Sequence, residues 1–384
     1  MTDASTSPER KGSRLLFIDN IRILLICLVI TTHSSVTYGG SGSWYFTNAD
    51  GNPLTQFILT AINSLDQSFF LGFFLLISAY FVPGSLLRKG AAHFTRDRLI
   101  RLGIPLLAYV VLINPFVVYL VQAGTGHFSG TFPEFLVSFF VPFTDLQLGP
   151  MWFVWFLLLA TLAYVAWAHV TKPTADKMHH QFPRYRSIVL FGIFLAIITF
   201  IVRIFQPIGS FWLFGFQIPF FTQYIAFFIV GIFAAYNNWL ENIPENIGKA
   251  CAYTGLALVI VQPALIYFLS TAPGGIAPGL GGLHWQSLMY CFWEQMAAVM
   301  FTSGLLWLFS RKFNDQGPIT RAMGGDSYTV YVIHPVFVVS VALALQYVAL
   351  PSLAKFALEL PMAIFLSFLT AHIIRAIPGA KRIL

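Results

Sequence analysis

Charge is what this chain most conspicuously lacks. Of 384 residues, 22 are Lys or Arg and 15 are Asp or Glu, 10% together, where a soluble domain carries roughly 25%. So few charges cannot solvate a globular surface of this size. The hydrophobic share is 57% and falls in long blocks, so lipid must be the solvent for most of the chain. Cysteine is scarce as well. Cys27, Cys251 and Cys291 sit singly in apolar context without a CxxC pairing, which argues against a disulfide framework or a thiolate metal site and reads as three core thiols. A cleavable leader is also missing from the pattern. Met1 to Ser13 is polar, and the first apolar run continues without a small-residue cleavage site, so it is expected to stay as the first membrane helix. No internal repeat and no separable soluble domain is visible.

What is present is a series of apolar runs. A membrane helix needs about 20 mostly apolar residues, and ten runs qualify, at about 15–37, 57–81, 99–121, 150–170, 187–205, 215–235, 250–270, 288–310, 327–346 and 353–375. The expected architecture is an all-α integral membrane protein: one bundle of about ten helices over 15–375, a tail over 1–14 and another over 376–384. An even number of spans puts both termini on one side. With that side cytoplasmic, the inner segments hold Arg10, Lys11, Arg14, Arg88, Lys89, Arg96, Arg98, Arg101, Lys172, Lys177, Arg184, Arg186, Lys249, Arg311, Lys312, Arg321, Arg375, Lys381 and Arg382, 19 of the 22 basic residues. Only Arg203 and Lys355 fall outside, and Arg22 lies within the first span. The positive-inside rule therefore predicts cytoplasmic termini. Orientation accounts for the +7 net charge, and no nucleic-acid partner is implied.

The outer loops are nearly free of Lys and Arg and rich in Gly, aromatic and polar residues, as in GGSGSWYFTNADGNP and APGGIAPGLGGLHW. Such side chains suit stacking on and hydrogen bonding to a neutral polar ligand such as a sugar; an interfacial aromatic belt with ordinary turns gives the same composition.

An ionisable group inside a membrane span is costly and marks function by default. Four stand out: Arg22 and His33 on the first span, Asp66 on the second and Glu294 on the eighth. Eleven residues separate Arg22 from His33, about 20° past three full turns, so the two share a face about 16 Å apart along the axis. Asp19, three residues before Arg22, is a candidate ion-pair partner. An anion binder at one end of a helix face and a proton acceptor at the other suit a passage between a cytoplasmic anionic donor and an outer acceptor.

Taken together, these residues resemble the membrane-bound acyltransferase family 3. R-ILLICLVITT-H is similar to the family's Arg-x10-His signature on its first span. FFLLISAYF looks like its FF-x-SGYF element, with Ala79 where Gly is usual. RDRLIRLGIPLL, GPMWFVWFLLL, DSYTVYVIHP and IPGAKRIL resemble further family elements, and the match runs from about residue 15 to 384. RLGIPLL and GPMWFVW look most like the glucan biosynthesis protein C branch, associated with succinylation of glucans. The resemblance implies transfer of an acyl group, acetyl or succinyl, from cytoplasmic acyl-CoA to a hydroxyl, usually of a carbohydrate or glycan, beyond the membrane. It carries Arg22 and His33 over as essential residues. It implies a multi-pass protein of the cell membrane, with acyl-CoA as donor substrate and no permanently bound cofactor. The Ala79 departure puts a close helix contact in doubt.

Acyl transfer needs a base, an oxyanion stabiliser and positioning of both substrates. His33 is the expected base, since a neutral imidazole takes a hydroxyl proton near neutral pH. No GxSxG elbow occurs, so direct transfer is favoured over a serine acyl-enzyme. Arg22, with its rigid donor fork, would hold CoA amides or phosphate, or a succinyl carboxylate. Arg98 and Arg101 would meet the CoA phosphates, although positive-inside orientation alone also explains them. Asp66 and Glu294 would orient His33, contact the acceptor, or pair structurally with Arg22 or Arg203. Trp152 would wall the site or fill the core. His334, before Pro335 on the ninth span, is expected in the cytoplasmic half, far from His33, as a CoA-channel residue or a helix-kink partner. His127, Glu134, Asp145, His284 and Trp285 are outer-loop candidates for touching a sugar. Metal-ligand spacing is absent, and His179–His180 falls in an inner loop, so no metal is expected. The rival reading is a transporter or flippase for a polar or lipid-linked sugar, favoured by midplane charges and by the interruptions at Pro207, Pro219 and Pro263, but lacking the repeat such folds carry.

Overall fold

The computed structural model describes residues 15–140, 148–172, 180–212 and 215–384. Arg10, Lys11, Arg14, Asp145, Lys177 and His179 lie outside them. Ten long helices account for most of the described chain: α1 Leu16–Thr37, α2 Pro53–Tyr80, α3 Ala91–Gly124, α4 Trp152–Thr171, α5 Tyr185–Phe205, α6 Phe221–Asn237, α7 Glu245–Thr271, α8 Trp285–Lys312, α9 Pro318–Leu345 and α10 Ser352–Ala376. Among the described residues, nine of these are long and apolar enough to cross a membrane. The tenth, α8, is as long as α9 at 28 residues but carries Gln286, Glu294 and Gln295, and packs against α2, α5 and α7. An all-α, multi-pass membrane bundle is therefore what this sequence folds into.

Local chemistry sets the helix ends. Asn52 caps α2, its side-chain oxygen accepting from the N–H groups of Leu54 and Thr55 at 3.0 and 3.1 Å, with Pro53 pre-set at the first position. Prolines inside spans leave carbonyls without their α-helical donor, and side chains take over. In α3, π-helical turns at Leu99–Gly103 and Tyr109–Ile113 precede Pro105 and Pro115. The carbonyl of Arg101, which Pro105 cannot reach, accepts from the Tyr328 hydroxyl at 2.9 Å.

Small residues let helices approach closely, as lipid-embedded packing requires. The doubt over Ala79 resolves here. A Cβ added to Gly231 on α6 would lie 2.3 Å from the Leu76 carbonyl and 2.8 Å from the Ala79 Cβ. The close contact exists, with its glycine supplied by the partner helix.

Side-chain ties lock the two ends of the bundle. At the basic end, Asn20 donates to the carbonyls of Phe313 and Asp315 at 2.8 and 3.0 Å. At the far end, Asp50 and Ser352 exchange hydrogen bonds, N to Oγ at 2.8 Å and N to Oδ2 at 2.9 Å, and Lys355 reaches Asn48 Oδ1 at 2.6 Å. That tie pins the loop between α1 and α2 across the mouth of the bundle.

Candidate functional site

α1 and α9 pack side by side, starting level where Phe17 N–H meets Asn314 Oδ1 at 3.3 Å. His33 is 17 residues into α1 and His334 is 16 into α9, which places both about 25 Å from the basic end. Their rings lie 17° from parallel with centres 5.3 Å apart. The expectation that His334 lies far from His33 in the cytoplasmic half is thus corrected. The helix begins at Pro318, nine residues before the apolar run at 327, because its first turns are polar, and the added rise of about 14 Å carries His334 past the middle.

A third ring completes the group. Trp44, on the pinned loop, stacks on His33 with centres 3.7 Å apart at 18°, and its centre is 6.1 Å from that of His334. From these three separations, the line from His33 to His334 runs nearly at right angles to the line from His33 to Trp44. Trp44 therefore covers one face of His33, and His334 lies beside it, almost in its plane. Three nitrogens of this group are buried without a hydrogen-bond partner: His33 Nδ1, His334 Nε2 and Trp44 Nε1.

His33 is half-buried and opens onto a cavity of about 370 Å³. Thr32, Ser41, Ser43, Thr60, Asn63, Ser64, Gln67 and Gln217 bring hydroxyl and amide groups to it, and Phe211, Phe220 and Tyr290 bring aromatic faces. Among the described residues lining it there is no Asp, Glu, Lys or Arg. Asn63 secures the α1–α2 wall, accepting from the Ser35 hydroxyl and donating to the Ser41 carbonyl at 2.9 Å.

The other expected residues divide into three groups. Asp19 and Arg22 pair at 3.1 Å on α1, and the Arg22 guanidinium lies over the Phe81 ring at 5.3 Å. Arg98, over Phe94 at 5.0 Å, is near enough for the charges of Arg22 and Arg101 to bear on it, so the three arginines gather at the basic end. Asp66 is buried and accepts from Thr32, next to His33, at 3.3 Å. Glu294 forms an ion pair with Arg203 at 2.7 Å, both buried, and Arg203 sits over Phe220 and Tyr290 at 5.1 and 5.9 Å. That pair backs the cavity wall. Trp152 is buried against Tyr224 at 5.8 Å, and Tyr224 accepts from Gln67 at 3.2 Å, so it stands one layer behind the cavity.

The outer-loop candidates lie elsewhere. His127 meets Thr125 at 2.8 Å. Glu134 accepts from the Thr131 N–H at 2.6 Å as the return half of a capping box, and that bond holds its carboxyl below the usual range. His284 stands at the start of α8, and Trp285 is exposed against Phe268. None of the four lines the cavity with His33. Two residues escaped the sequence reading. Trp44 sits in a loop without periodicity. Glu359 on α10 is fully buried against Ser34 and Tyr38 of α1, and its place in FALELPMAIF makes it an intramembrane charge of the same kind as Asp66.

Comparison with known proteins adds a family. A family model described as an acyltransferase domain matches residues 15–374. The chain is similar to glucans biosynthesis protein C of Escherichia coli O1:K1 / APEC, 26% identical over 252 residues and 63% of each chain. It is also similar to the protein of that name in Escherichia coli strain K12, 28% identical over 233 residues and 58% of each. The match thus spans a little under two thirds of these relatives' length. No solved structure matches.

Proposed function

The chain belongs to the acyltransferase-domain family whose model spans it, and on that premise we propose that it moves an acetyl or succinyl group from cytoplasmic acyl-CoA to a hydroxyl of a neutral carbohydrate on the far side of the membrane. The observation that carries this reading is His33 at the edge of a cavity rich in hydroxyl, amide and aromatic groups, with no charged side chain among the described residues that line it. Sugars are recognised by such groups, and an uncharged wall does not select for an anionic or cationic acceptor. The curated relatives' name, glucans biosynthesis protein C, supports a glycan as the acceptor class.

Donor and acceptor enter from opposite ends. Arg22, Arg98 and Arg101 receive the phosphates, and Asp19 holds the Arg22 guanidinium in place at 3.1 Å. This reading puts the basic end and both termini in the cytoplasm and the protein in the cell membrane. The acyl thioester then reaches along α1 toward His33, about 16 Å from Arg22. The acceptor hydroxyl gives its proton to His33 as its oxygen attacks the thioester carbon. Asp66 acts through Thr32, and Trp152 and Glu294 shape the wall from behind. The chain binds no resident cofactor.

The test is purified protein in detergent with acetyl-CoA or succinyl-CoA and a glucan oligosaccharide. Acceptor-dependent release of free CoA thiol is expected, and His33→Ala is expected to abolish it. Full transfer by His33→Ala would remove the base assignment; no transfer by the wild-type protein would remove the function.

A further inference from the structure

The sequence His334-Pro335 has a consequence at His33. Pro335 has no N–H, so the carbonyl four residues back, that of Tyr331, has no α-helical donor. His334 fills the gap: its Nδ1 lies 2.7 Å from the Tyr331 oxygen. A carbonyl oxygen only accepts, so Nδ1 must carry the hydrogen. A neutral imidazole has one N–H and one lone pair, and the lone pair of His334 is therefore on Nε2. That nitrogen is buried and has no partner.

His33 presents the complement. It opens onto the cavity, while its Nδ1 is buried without a partner, which leaves Nε2 to meet a hydroxyl. To accept a proton there, Nε2 must hold the lone pair and Nδ1 the hydrogen. Two imidazoles joined by an N–H···N bond of about 2.9 Å have ring centres about 5 Å apart. The observed centres are 5.3 Å apart, in rings 17° from parallel and nearly in one plane. The two rings are not hydrogen-bonded to each other in this structure, and one open nitrogen stands on each, a donor on His33 and an acceptor on His334.

We propose that His334 is the positioning residue of the base: as His33 takes the hydroxyl proton, His334 Nε2 closes onto His33 Nδ1–H, which fixes the reactive tautomer and shares the positive charge that His33 acquires. The inference rests on His33 acting as proposed above. The step balances. The hydroxyl oxygen forms the new C–O bond as the C–S bond breaks, and the hydroxyl proton passes to His33 Nε2. His33 then returns a proton from Nε2 to the departing thiolate sulfur. The products are ester and free thiol, and both histidines end as they began. His334 here does for His33 what a carboxylate does in a Ser-His-Asp triad, without placing a second net charge in the membrane.

The test compares His334→Gln with His334→Met in the full-length protein, using the acyl-CoA and oligosaccharide assay. Gln supplies an N–H for the Tyr331 carbonyl and an amide oxygen for His33 Nδ1–H. Met fills the space and offers neither. His334→Met is expected to lose kcat by on the order of 10²-fold, the scale of a compromised general base, with KM for both substrates within about twofold. His334→Gln is expected to keep kcat within about tenfold of wild type. Wild-type kcat in His334→Met, equal losses in both variants, or a loss confined to KM for the thioester would overturn the inference and leave the proposed function standing. No transfer by the wild-type protein would overturn the function itself, and the inference with it.

Discussion

Two polar groups flank the cavity, and they differ in whether opposite charges meet. Behind one wall, Arg203 and Glu294 bring opposite charges to 2.7 Å. The Arg203 Nε donates to the Pro219 carbonyl at 3.3 Å, and Gln295 donates to Glu294 at 3.0 Å. At the other wall, no opposite charges meet, and His33, His334 and Trp44 each keep a nitrogen buried without a hydrogen-bond partner; the ion pair also leaves Arg203 Nη2 and Glu294 Oε1 outside any hydrogen bond, but its charges face each other. Water is not at hand in a membrane bundle to satisfy such atoms, so each costs free energy. A pair whose charges meet holds the fold. A group left open is the one whose hydrogen bonds can form as the substrate arrives. The ion pair is fully buried while His33 is half-buried at a cavity, and the meeting of opposite charges separates structural from reactive polarity.

The largest expected effect divides the two. Glu294→Leu strands the Arg203 guanidinium, at a cost of about 3–5 kcal/mol, and should lower thermal stability in detergent sharply. The double variant Arg203→Met with Glu294→Leu should recover most of it, since apolar residues of similar volume replace buried pairs with little loss. His33→Ala, by contrast, should melt close to wild type while losing transfer. A Glu294→Leu protein that melts like wild type would break the comparison at its structural side.

How far the sequence carried this picture depends on what each residue answers to. Apolar length and one helical face determined the helices and the shared face of Arg22 and His33, because those follow from local periodicity. The Asp19–Arg22 pair at 3.1 Å followed from three-residue spacing, and Glu294 with Arg203 was among the pairings that buried charges allowed. His334 was misplaced because hydropathy sees only the apolar part of α9 and misses its polar first turns, Pro318 to Asp326. Trp44 carried no local signal. Its position depends on Asp50 meeting Ser352, a contact across 302 positions of chain. Glu359 was legible by the same rule as Asp66. The glycine expected at Ala79 stands on another helix, at Gly231, where no reading of one segment finds it.

That last contact gives a smaller and sharper test of the structural side. A side chain at Gly231 meets the Leu76 carbonyl and the Ala79 Cβ, and backbone cannot move aside as a flexible side chain would. Gly231→Val should destabilise by about 1–3 kcal/mol, read as a lowered melting temperature, with the transfer rate per folded molecule retained. Adding Ala79→Gly relieves only the contact with the Ala79 Cβ, so recovery should be partial. Full recovery would mean that the Leu76 carbonyl contact carries no cost.

The smallest effect belongs to the reactive side, at the tie that holds the Trp44 loop. Asp50 is held below the usual carboxylate range because the N–H groups of Ser352 and Asn52 donate to it, at 2.9 and 3.0 Å. A carboxylate with a depressed folded-state pKa stabilises above its unfolded value, about 3.9, and that contribution is lost as pH falls through the folded one. The loop should therefore hold at neutral pH and loosen below about pH 4, seen as faster hydrogen exchange over residues 41–52. Asp50→Asn keeps one acceptor oxygen of two, so it should exchange faster already at neutral pH and lose the acid dependence. Its rate of transfer should fall by about two- to threefold, the scale of an exposed polar contact, because Trp44 covers His33 at 3.7 Å but forms no bond to it. If exchange over 41–52 keeps the wild-type acid dependence in Asp50→Asn, another carboxylate secures the loop, and the orientation of His33 depends on His334 and not on this tie.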